Sequence, residues 1–178
     1  SADEIIYHDC VASLYERQYL SKIIKNTAEK LFIPLCVGGG IKKIDDIENI
    51  LKFGADKVFL NSAVLKDKKI LEESVKKFGS STIAVGIEAN LINNKYHCFY
   101  DYGREPTNKL VVDWCKEIQD LGAGEIVLTS IKNEGTGKSF DLSLIDEVYN
   151  NINVPLIING GAGTMNHILE VLKIEKVS

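Results

Sequence analysis

Two glycine-rich turns are the segments of this sequence best suited to chemistry. V-G-G-G-I occupies 37–41 and N-G-G-A-G occupies 159–163, and each follows an apolar run and precedes an amphipathic stretch. Where a strand passes through glycines into a helix, backbone N–H groups and the helix N-terminus can surround an anion that a β-carbon would keep away. One such turn also occurs without a ligand, but two copies predict two phosphate sites and a substrate phosphorylated at both ends.

Several titratable side chains lie near predicted strand ends. Glu88 ends an apolar run, where function concentrates on a βα barrel, although it could equally pair with a lysine at the rim. Lys132 could bind a phosphate or be inert on a loop. His8 is expected to be a packed or rim residue rather than a base, and His97 and His167 are expected to be exposed. Side chains of these types can transfer protons, but the sequence alone does not assign that role to any of them.

The elements that must position these residues alternate along the chain as strand and helix. Apolar runs fall at 4–8, 33–37, 56–60, 82–88, 125–129 and 155–158, and amphipathic stretches at 15–31, 43–53, 67–78, 109–121, 142–150 and 164–173. Parallel strands buried on both faces read as continuous apolar runs. The pattern predicts an α/β fold in which a parallel sheet is covered by helices.

The segment 90–106 interrupts this alternation. It reads as a turn with polar and aromatic strands, and it is predicted to be a hairpin inserted after the strand that ends at Glu88. Trp114 and Cys115 lie on the helical stretch that follows and are expected in the core. No linker or low-complexity tract is present, so residues 1–178 are interpreted as one domain.

The second half of the chain repeats the first. A-D-E-I-I at 2–6 matches A-G-E-I-V at 123–127, and P-L-C-V-G-G-G at 34–40 matches P-L-I-I-N-G-G at 155–161. Both pairs share an offset of 121 residues, which is 123 minus 2 and 155 minus 34. Self-similar βα units at one offset indicate a duplicated half-barrel.

Composition limits the class of protein. The chain has 178 residues, is 45% hydrophobic and 26% charged, and carries a net charge of −4, which excludes a disordered chain and gives no reason to expect nucleic acid or a membrane as partner. No apolar run reaches the ~20 residues of a membrane span, and no signal peptide is recognised. Four cysteines lie far apart without metal-ligand spacing (Cys10, Cys36, Cys98 and Cys115). We expect a cytoplasmic protein with reduced thiols and no metal or other cofactor.

Five motifs in this order resemble the cyclase subunit of imidazole glycerol phosphate synthase, the HisF family. They are V-G-G-G-I at 37–41, A-D-K-V-F-L-N-S-A at 55–63, G-A-G-E-I-V-L-T-S-I at 122–131, E-G-T at 134–136 and N-G-G-A-G at 159–163. The resemblance covers the whole chain. It implies a (β/α)8 TIM-type barrel that receives ammonia from a glutaminase (HisH-like) subunit on the opposite face and acts as a lyase on a phosphorylated ribonucleotide in histidine biosynthesis.

The resemblance also implies site residues. Those of the phosphate and substrate sites are Gly39, Gly40, Asn61, Ser62, Thr129, Ser130, Gly160 and Gly161. Asp9 resembles the substrate-contacting aspartate of the family. The catalytic candidates are therefore Asp9, Glu88 and Lys132.

Three departures from the family pattern stand out. The family's catalytic pair is implied to be an aspartate on the first strand and one in an S-I-D motif, which here reads Ser130-Ile131-Lys132. A lysine does not simply replace a carboxylate, because its charge is opposite and its ordinary pKa is ~10.4. The resemblance further predicts that the chain starts at the family's second strand and stops inside its last. We therefore expect a barrel that is incomplete at both ends, since a closed one needs ~250 residues.

Other functions stay open. Y-H-D-C-V-A-S-L-Y at 7–15, Glu88 and Lys132 are similar to the glycosyl amidation-associated (WbuZ-like) branch, which accompanies a sugar amidotransferase and a glutaminase in surface-polysaccharide pathways. Such a protein would conduct ammonia or act as a scaffold for the glutaminase without cyclase activity. A phosphosugar isomerase of similar architecture is a third possibility, because fold alone does not specify function.

Overall fold

The computed structural model describes residues 2–9, 17–175 and 177. Cys10, one of the four cysteines considered above, lies outside the described residues. The chain divides into two compact units, Ser1–Ala84 and Val85–Ser178, and each is taken by itself below. The interpretation of 1–178 as one domain stays a prediction.

The first unit is a parallel βα arrangement. Its strands are β1 (Ile5–His8), β2 (Leu35–Gly38) and β3 (Lys57–Leu60), and its helices are α1 (Arg17–Ala28), α2 (Ile44–Lys52), α3 (Ser62–Lys66) and α4 (Lys69–Phe78). β2 lies between β1 and β3 and pairs parallel with both. All four residues of β2 are buried, as expected for a strand covered on both faces.

The apolar face of α2 is part of the core of the first unit. Ile47 and Ile50 are buried, and α2 packs on β3 and α4. At its start the buried Asp46 accepts the backbone N–H groups of Lys42 and Lys43 at 2.9 and 3.2 Å. A carboxylate in the first helical turn satisfies donors that the helix leaves unpaired and suits the positive end of its dipole.

The second unit contains the hairpin and the second pair of parallel strands. Its elements are β4 (Ile83–Ile92, which begins at the end of the first unit), β5 (Lys95–Tyr100), β6 (Glu105–Leu110), α5 (Val111–Asp120), β7 (Glu125–Ser130), α6 (Leu142–Tyr149), β8 (Leu156–Asn159) and α7 (Met165–Val171). β7 pairs with β4 and, in parallel, with β8. Trp114 and Cys115 are buried in its core, as predicted.

A hairpin lies where the sequence predicted one, although its limits differ. β4 runs on through Ile92, Asn93 and Asn94 form a two-residue turn with φ of 48° and 62°, and β6 extends to Leu110. Two central residues with positive φ match the turn that suits the twist of antiparallel strands, and asparagine tolerates it. The hairpin is thus a continuation of β4.

The predicted alternation of strands and helices is confirmed in both units, so the fold is α/β with parallel strands and alternating helices, as in (β/α)8-type proteins. The five-residue helix α3 was not predicted, because a segment this short shows no helical period. Among the described residues, no helix is long and apolar enough to cross a membrane.

Candidate functional site: two glycine cradles at strand ends

The first cradle lies where β1 and β2 end in the first unit. Gly39 and Gly40 follow β2 with φ of +109° and +62°. The Asp9 N–H donates to the carbonyl of Gly38 at 2.9 Å, and a β-carbon on Gly39 would overlap the Asp9 carbonyl oxygen. The candidates Asp9, Gly39 and Gly40 therefore lie together, and position 39 requires glycine for both its conformation and its contact.

Asn61 and Ser62 lie at the end of β3 in the same unit. The Asn61 carbonyl accepts the Val64 N–H at 3.0 Å as α3 begins. The side-chain oxygen Oδ1 of Asn61 is buried, and no hydrogen-bond partner for it is found in the described part of the chain. A buried polar atom of this kind commonly marks a place for a ligand or an ordered water.

The second cradle repeats the first within the second unit. Gly160 and Gly161 follow β8 with φ of +92° and +109°. A β-carbon on Gly160 would lie 2.9 Å from the Ser130 carbonyl oxygen, and one on Gly161 would overlap the carbonyl of Ser139. The two turns thus share an approach of glycine to a neighbouring backbone carbonyl.

The repeat seen in the sequence is also present in the strand register. In the first unit, Ile5 is paired with Leu35; in the second, Ile126 is paired with Leu156, which is the same pair shifted by 121 residues. The hydrogen bonds that begin the two ladders, from Ile5 to Pro34 and from Ile126 to Pro155, are both 3.0 Å long. α2 and α7 also begin at matching positions, 44 and 165. Duplication therefore extends to backbone geometry.

Thr129 and Ser130 end β7 but are buried, with 9% and 4% of their surface exposed. The Thr129 hydroxyl accepts a hydrogen bond from Nδ2 of Asn159 at 3.1 Å. Ser130 Oγ lies 3.2 Å from Oδ2 of Asp141 and 3.4 Å from Oδ1 of Asn133, and both are acceptors for its single proton. Both hydroxyls are therefore engaged within the protein, and their role in substrate binding stays a prediction.

Lys132 is exposed on the loop that joins β7 to α6. The loop is held by its own polar groups: Nδ2 of Asn133 donates to the Ser139 carbonyl at 2.9 Å, and the Ser139 N–H donates to the Gly161 carbonyl at 2.8 Å. The loop is thereby tied to the second cradle.

Glu88 is half-buried on β4. Its Oε2 accepts the backbone N–H of Gly103 at 3.1 Å, from a turn in which Asp101, Tyr102 and Gly103 all have positive φ. Such a run of left-handed residues carries backbone strain that surrounding contacts must offset. The turn holds a carboxylate that the sequence placed among the catalytic candidates.

Sequence reasoning missed Asp141 and Tyr96. Asp141 caps α6 by accepting the Leu144 N–H at 3.2 Å, and its Oδ1 accepts the Tyr96 hydroxyl at 2.9 Å. An aspartate just before the apolar run that starts α6 is a helix-start signal that could have been used. No comparable signal marks Tyr96, because only the hairpin brings it to Asp141.

Burial raises the pKa of three side chains in the second unit, those of Tyr96, Cys98 and Cys115. Burial, and secondarily the hydrogen bond to Asp141, raises the pKa of Tyr96 to about 12. Burial also raises the pKa of the Cys98 thiol to about 12 and that of Cys115 further, so neither thiol supplies a nucleophile near neutral pH. The sequence analysis expected His97 and His167 to be exposed, and this was wrong for both. His97 is half-buried, and its ring Nδ1 lies 3.3 Å from the Thr107 carbonyl oxygen. His167 is also half-buried, and its ring Nδ1 accepts the Gly163 N–H at 3.2 Å.

Comparison with known proteins decides the family. The model of the family described as "Histidine biosynthesis protein" matches residues 1–178. Together with relatives that are 42% to 47% identical and are named HisF, this match places the chain in the HisF family of histidine biosynthesis proteins. No group of three or more His, Cys, Asp or Glu side chains that could hold a metal is found among the residues described.

Relatives of the HisF family align along most of the chain. A protein of Sulfurisphaera tokodaii named "Imidazole glycerol phosphate synthase subunit HisF" is 46% identical over 173 residues, which are 97% of this chain and 70% of that protein. Relatives of the same name from Legionella pneumophila and Hydrogenobaculum sp. are 47% and 42% identical, over 92% and 99% of this chain and 78% and 71% of their own. None of these three names refers to a polysaccharide pathway, and these relatives give that branch no support.

Proposed function

We propose that this chain carries the ammonia-dependent cyclase (lyase) activity of imidazole glycerol phosphate synthase, acting on a ribonucleotide phosphorylated at both ends. The observation that carries the proposal is the pair of cradles with the same register and positive-φ glycines at an offset of 121 residues. One cradle explains the binding of one phosphate, whereas two in duplicated units match a substrate with a phosphate at each end.

The carboxylates of Asp9 and Glu88 are the groups proposed to move protons. Asp9 is half-buried beside the first cradle, and Glu88 is half-buried with a backbone N–H holding one oxygen. Fixing one oxygen orients the other, which is what a general acid or base requires. Lys132 is exposed and is better suited to attracting a phosphate than to transferring a proton.

A glutaminase subunit is the proposed source of ammonia. In the first unit, a cavity of about 420 Å³ lies at the ends of β2 and β3 away from the cradle, and its lining includes Phe32, Pro34 and Asp56. The Phe32 side chain is fully exposed. An unshielded aromatic ring beside a cavity is typical of an anchor residue at a protein–protein interface, and the relatives are themselves named subunits. This face is where we propose that the glutaminase docks, in the cytoplasm.

The deciding experiment is turnover of the histidine-pathway bisphosphorylated ribonucleotide by the full-length protein supplied with an ammonium salt. Turnover that saturates in both ammonia and nucleotide is the expected result. A folded protein that binds inorganic phosphate but does not turn over would contradict the proposal. It would favour the alternative in which the protein conducts ammonia or acts as a glutaminase scaffold in sugar amidation.

A further inference from the structure

A chain of side-chain hydrogen bonds connects the hairpin to the second cradle. Tyr96, on β5, donates to Oδ1 of Asp141 at 2.9 Å, and Ser130, at the end of β7, donates to Oδ2 of Asp141 at 3.2 Å. Asp141 also accepts the Leu144 N–H at the start of α6. One carboxylate therefore holds three separate elements, and hydrogen bonds to an ionised group are the stronger kind.

The same carboxylate closes the loop that carries Lys132. Ser130 is the last residue before this loop and Asp141 is the first after it, so their hydrogen bond ties the two ends together. Inside the loop, Asn133 lies 3.4 Å from Ser130 Oγ and donates to Ser139, and Ser139 donates to Gly161. The connection from Tyr96 to the cradle is thus continuous.

The two glycines of the second cradle contact backbone carbonyls that belong to residues of this network. Gly160 lies against the carbonyl of Ser130, and Gly161 lies against the carbonyl of Ser139. A shift of either carbonyl would move the backbone N–H groups that are available to an anion. Hydrogen-bonding groups must be held within a fraction of an ångström to bind well.

We propose that Asp141 is a positioning residue for the second anion cradle, and that the Tyr96 hydroxyl, contributed by the hairpin, fixes its orientation. Neither residue touches the anion. They act by holding Ser130 and the loop 131–140, and through them Gly160 and Gly161. The inference rests on the proposed function only in taking phosphate as the anion.

The test uses Tyr96→Phe and Asp141→Asn in the whole chain, with Tyr100→Phe as the matched control. Tyr100 lies on the same strand and is half-buried, and its hydroxyl takes no part in the network described above. Tyr96→Phe removes a single hydroxyl and keeps the ring. Asp141→Asn keeps a side chain that caps helices well but removes the charge.

Inorganic phosphate is titrated while the amide resonances of all four cradle glycines are followed by NMR, and amide hydrogen exchange is measured across 131–140. We expect both variants to weaken phosphate binding at Gly160 and Gly161 about fivefold or more, because each alters a hydrogen bond to a carboxylate, which is of the stronger kind, and so loosens the backbone of the cradle. Binding at Gly39 and Gly40 and the behaviour of Tyr100→Phe should be unchanged. Exchange in the loop should become faster.

The results separate this inference from the proposed function. If phosphate binds at neither cradle of the unaltered protein, the proposed function fails, and loop exchange alone then decides whether the network positions the cradle backbone. If Tyr96→Phe and Asp141→Asn match Tyr100→Phe in both phosphate affinity and exchange, the positioning role is wrong. Equal weakening at both cradles would also overturn it, since that result indicates general loss of structure.

Discussion

Gly39 lies against the backbone carbonyl of Asp9 so closely that a β-carbon at position 39 would overlap that oxygen. The contact joins the turn after β2 to the residue that follows β1, and so joins a cradle glycine to a candidate catalytic carboxylate. Replacement of this glycine tests whether the close approach sets the stability of the first unit.

Gly39→Ala should lower the free energy of unfolding by about 2 kcal/mol more than Gly79→Ala does. Both glycines have positive φ, of +109° and +87°, but no atom lies within 4 Å of a β-carbon built at position 79. The control therefore carries the backbone strain without the collision. Urea denaturation of both variants measures the difference, and equal losses would show that the contact with Asp9 is unimportant.

Ser139→Gly should raise the free energy of unfolding by about 1 kcal/mol. Ser139 has a φ of +101°, and its hydroxyl oxygen is buried with no hydrogen-bond partner found among the described residues. Glycine relieves both, while the backbone hydrogen bonds of this residue to Gly161 and Asn133 persist. Ser139→Ala removes the hydroxyl but keeps the positive φ, so it should raise the free energy of unfolding by less. A thermal melt in which both variants are equally stable would contradict the backbone explanation.

Glu88→Gln should lower kcat of the proposed reaction by about 100-fold or more, because an amide cannot exchange a proton in place of a carboxylate. Glu105→Gln makes the same change at an exposed position of β6 and should leave kcat unaltered. Lys132→Ala should mainly raise KM, since this exposed lysine is placed to attract a phosphate. Steady-state kinetics separate these effects. A large fall in kcat for Lys132→Ala with little change for Glu88→Gln would reverse the assignment.

Phe32→Ser should weaken glutaminase binding by about thirtyfold, the effect of losing an anchor residue worth ~2 kcal/mol. The ring is fully exposed, so stability should be unaffected. Leu91→Ser, which changes an apolar hairpin residue that is 44% exposed, is the control for a general loss of surface hydrophobicity. Isothermal titration with the purified glutaminase measures both. Equal affinities for the two variants would move the docking face elsewhere.

The hydroxyl of Tyr96 should ionise at about pH 12, whereas that of an ordinary tyrosine ionises at pH ~10. Its pKa is higher in the folded state, so the stability it contributes is fully present below pH ~10 and is lost as the pH rises through about 12. Ultraviolet titration of tyrosinate should show one late step that disappears in Tyr96→Phe. Persistence of that step in the variant would assign it to another tyrosine.

The α/β fold, the duplication and the two glycine-rich turns could be predicted from the sequence alone. Apolar runs such as 33–37 and 125–129, followed by glycines, are typical of buried parallel strands, and the glycines at 39 and 161 are typical of a positive φ, which other residues rarely adopt. These are local properties, carried by neighbouring residues, so they can be recognised without coordinates. The HisF resemblance rested on the same local motifs, and the family comparison confirms it.

The contacts that surround the candidate residues could not be predicted from the sequence and are known from the structure. It shows that the hydroxyls of Thr129 and Ser130 are engaged and that Glu88 accepts the backbone N–H of Gly103. It also shows that Asp141 joins β5, β7 and α6 through separate hydrogen bonds. Tyr96 and Asp141 are 45 residues apart, and no sequence pattern specifies a contact across that distance. Their pairing depends on the hairpin register and on the direction in which α6 begins, which arise from packing of the whole unit.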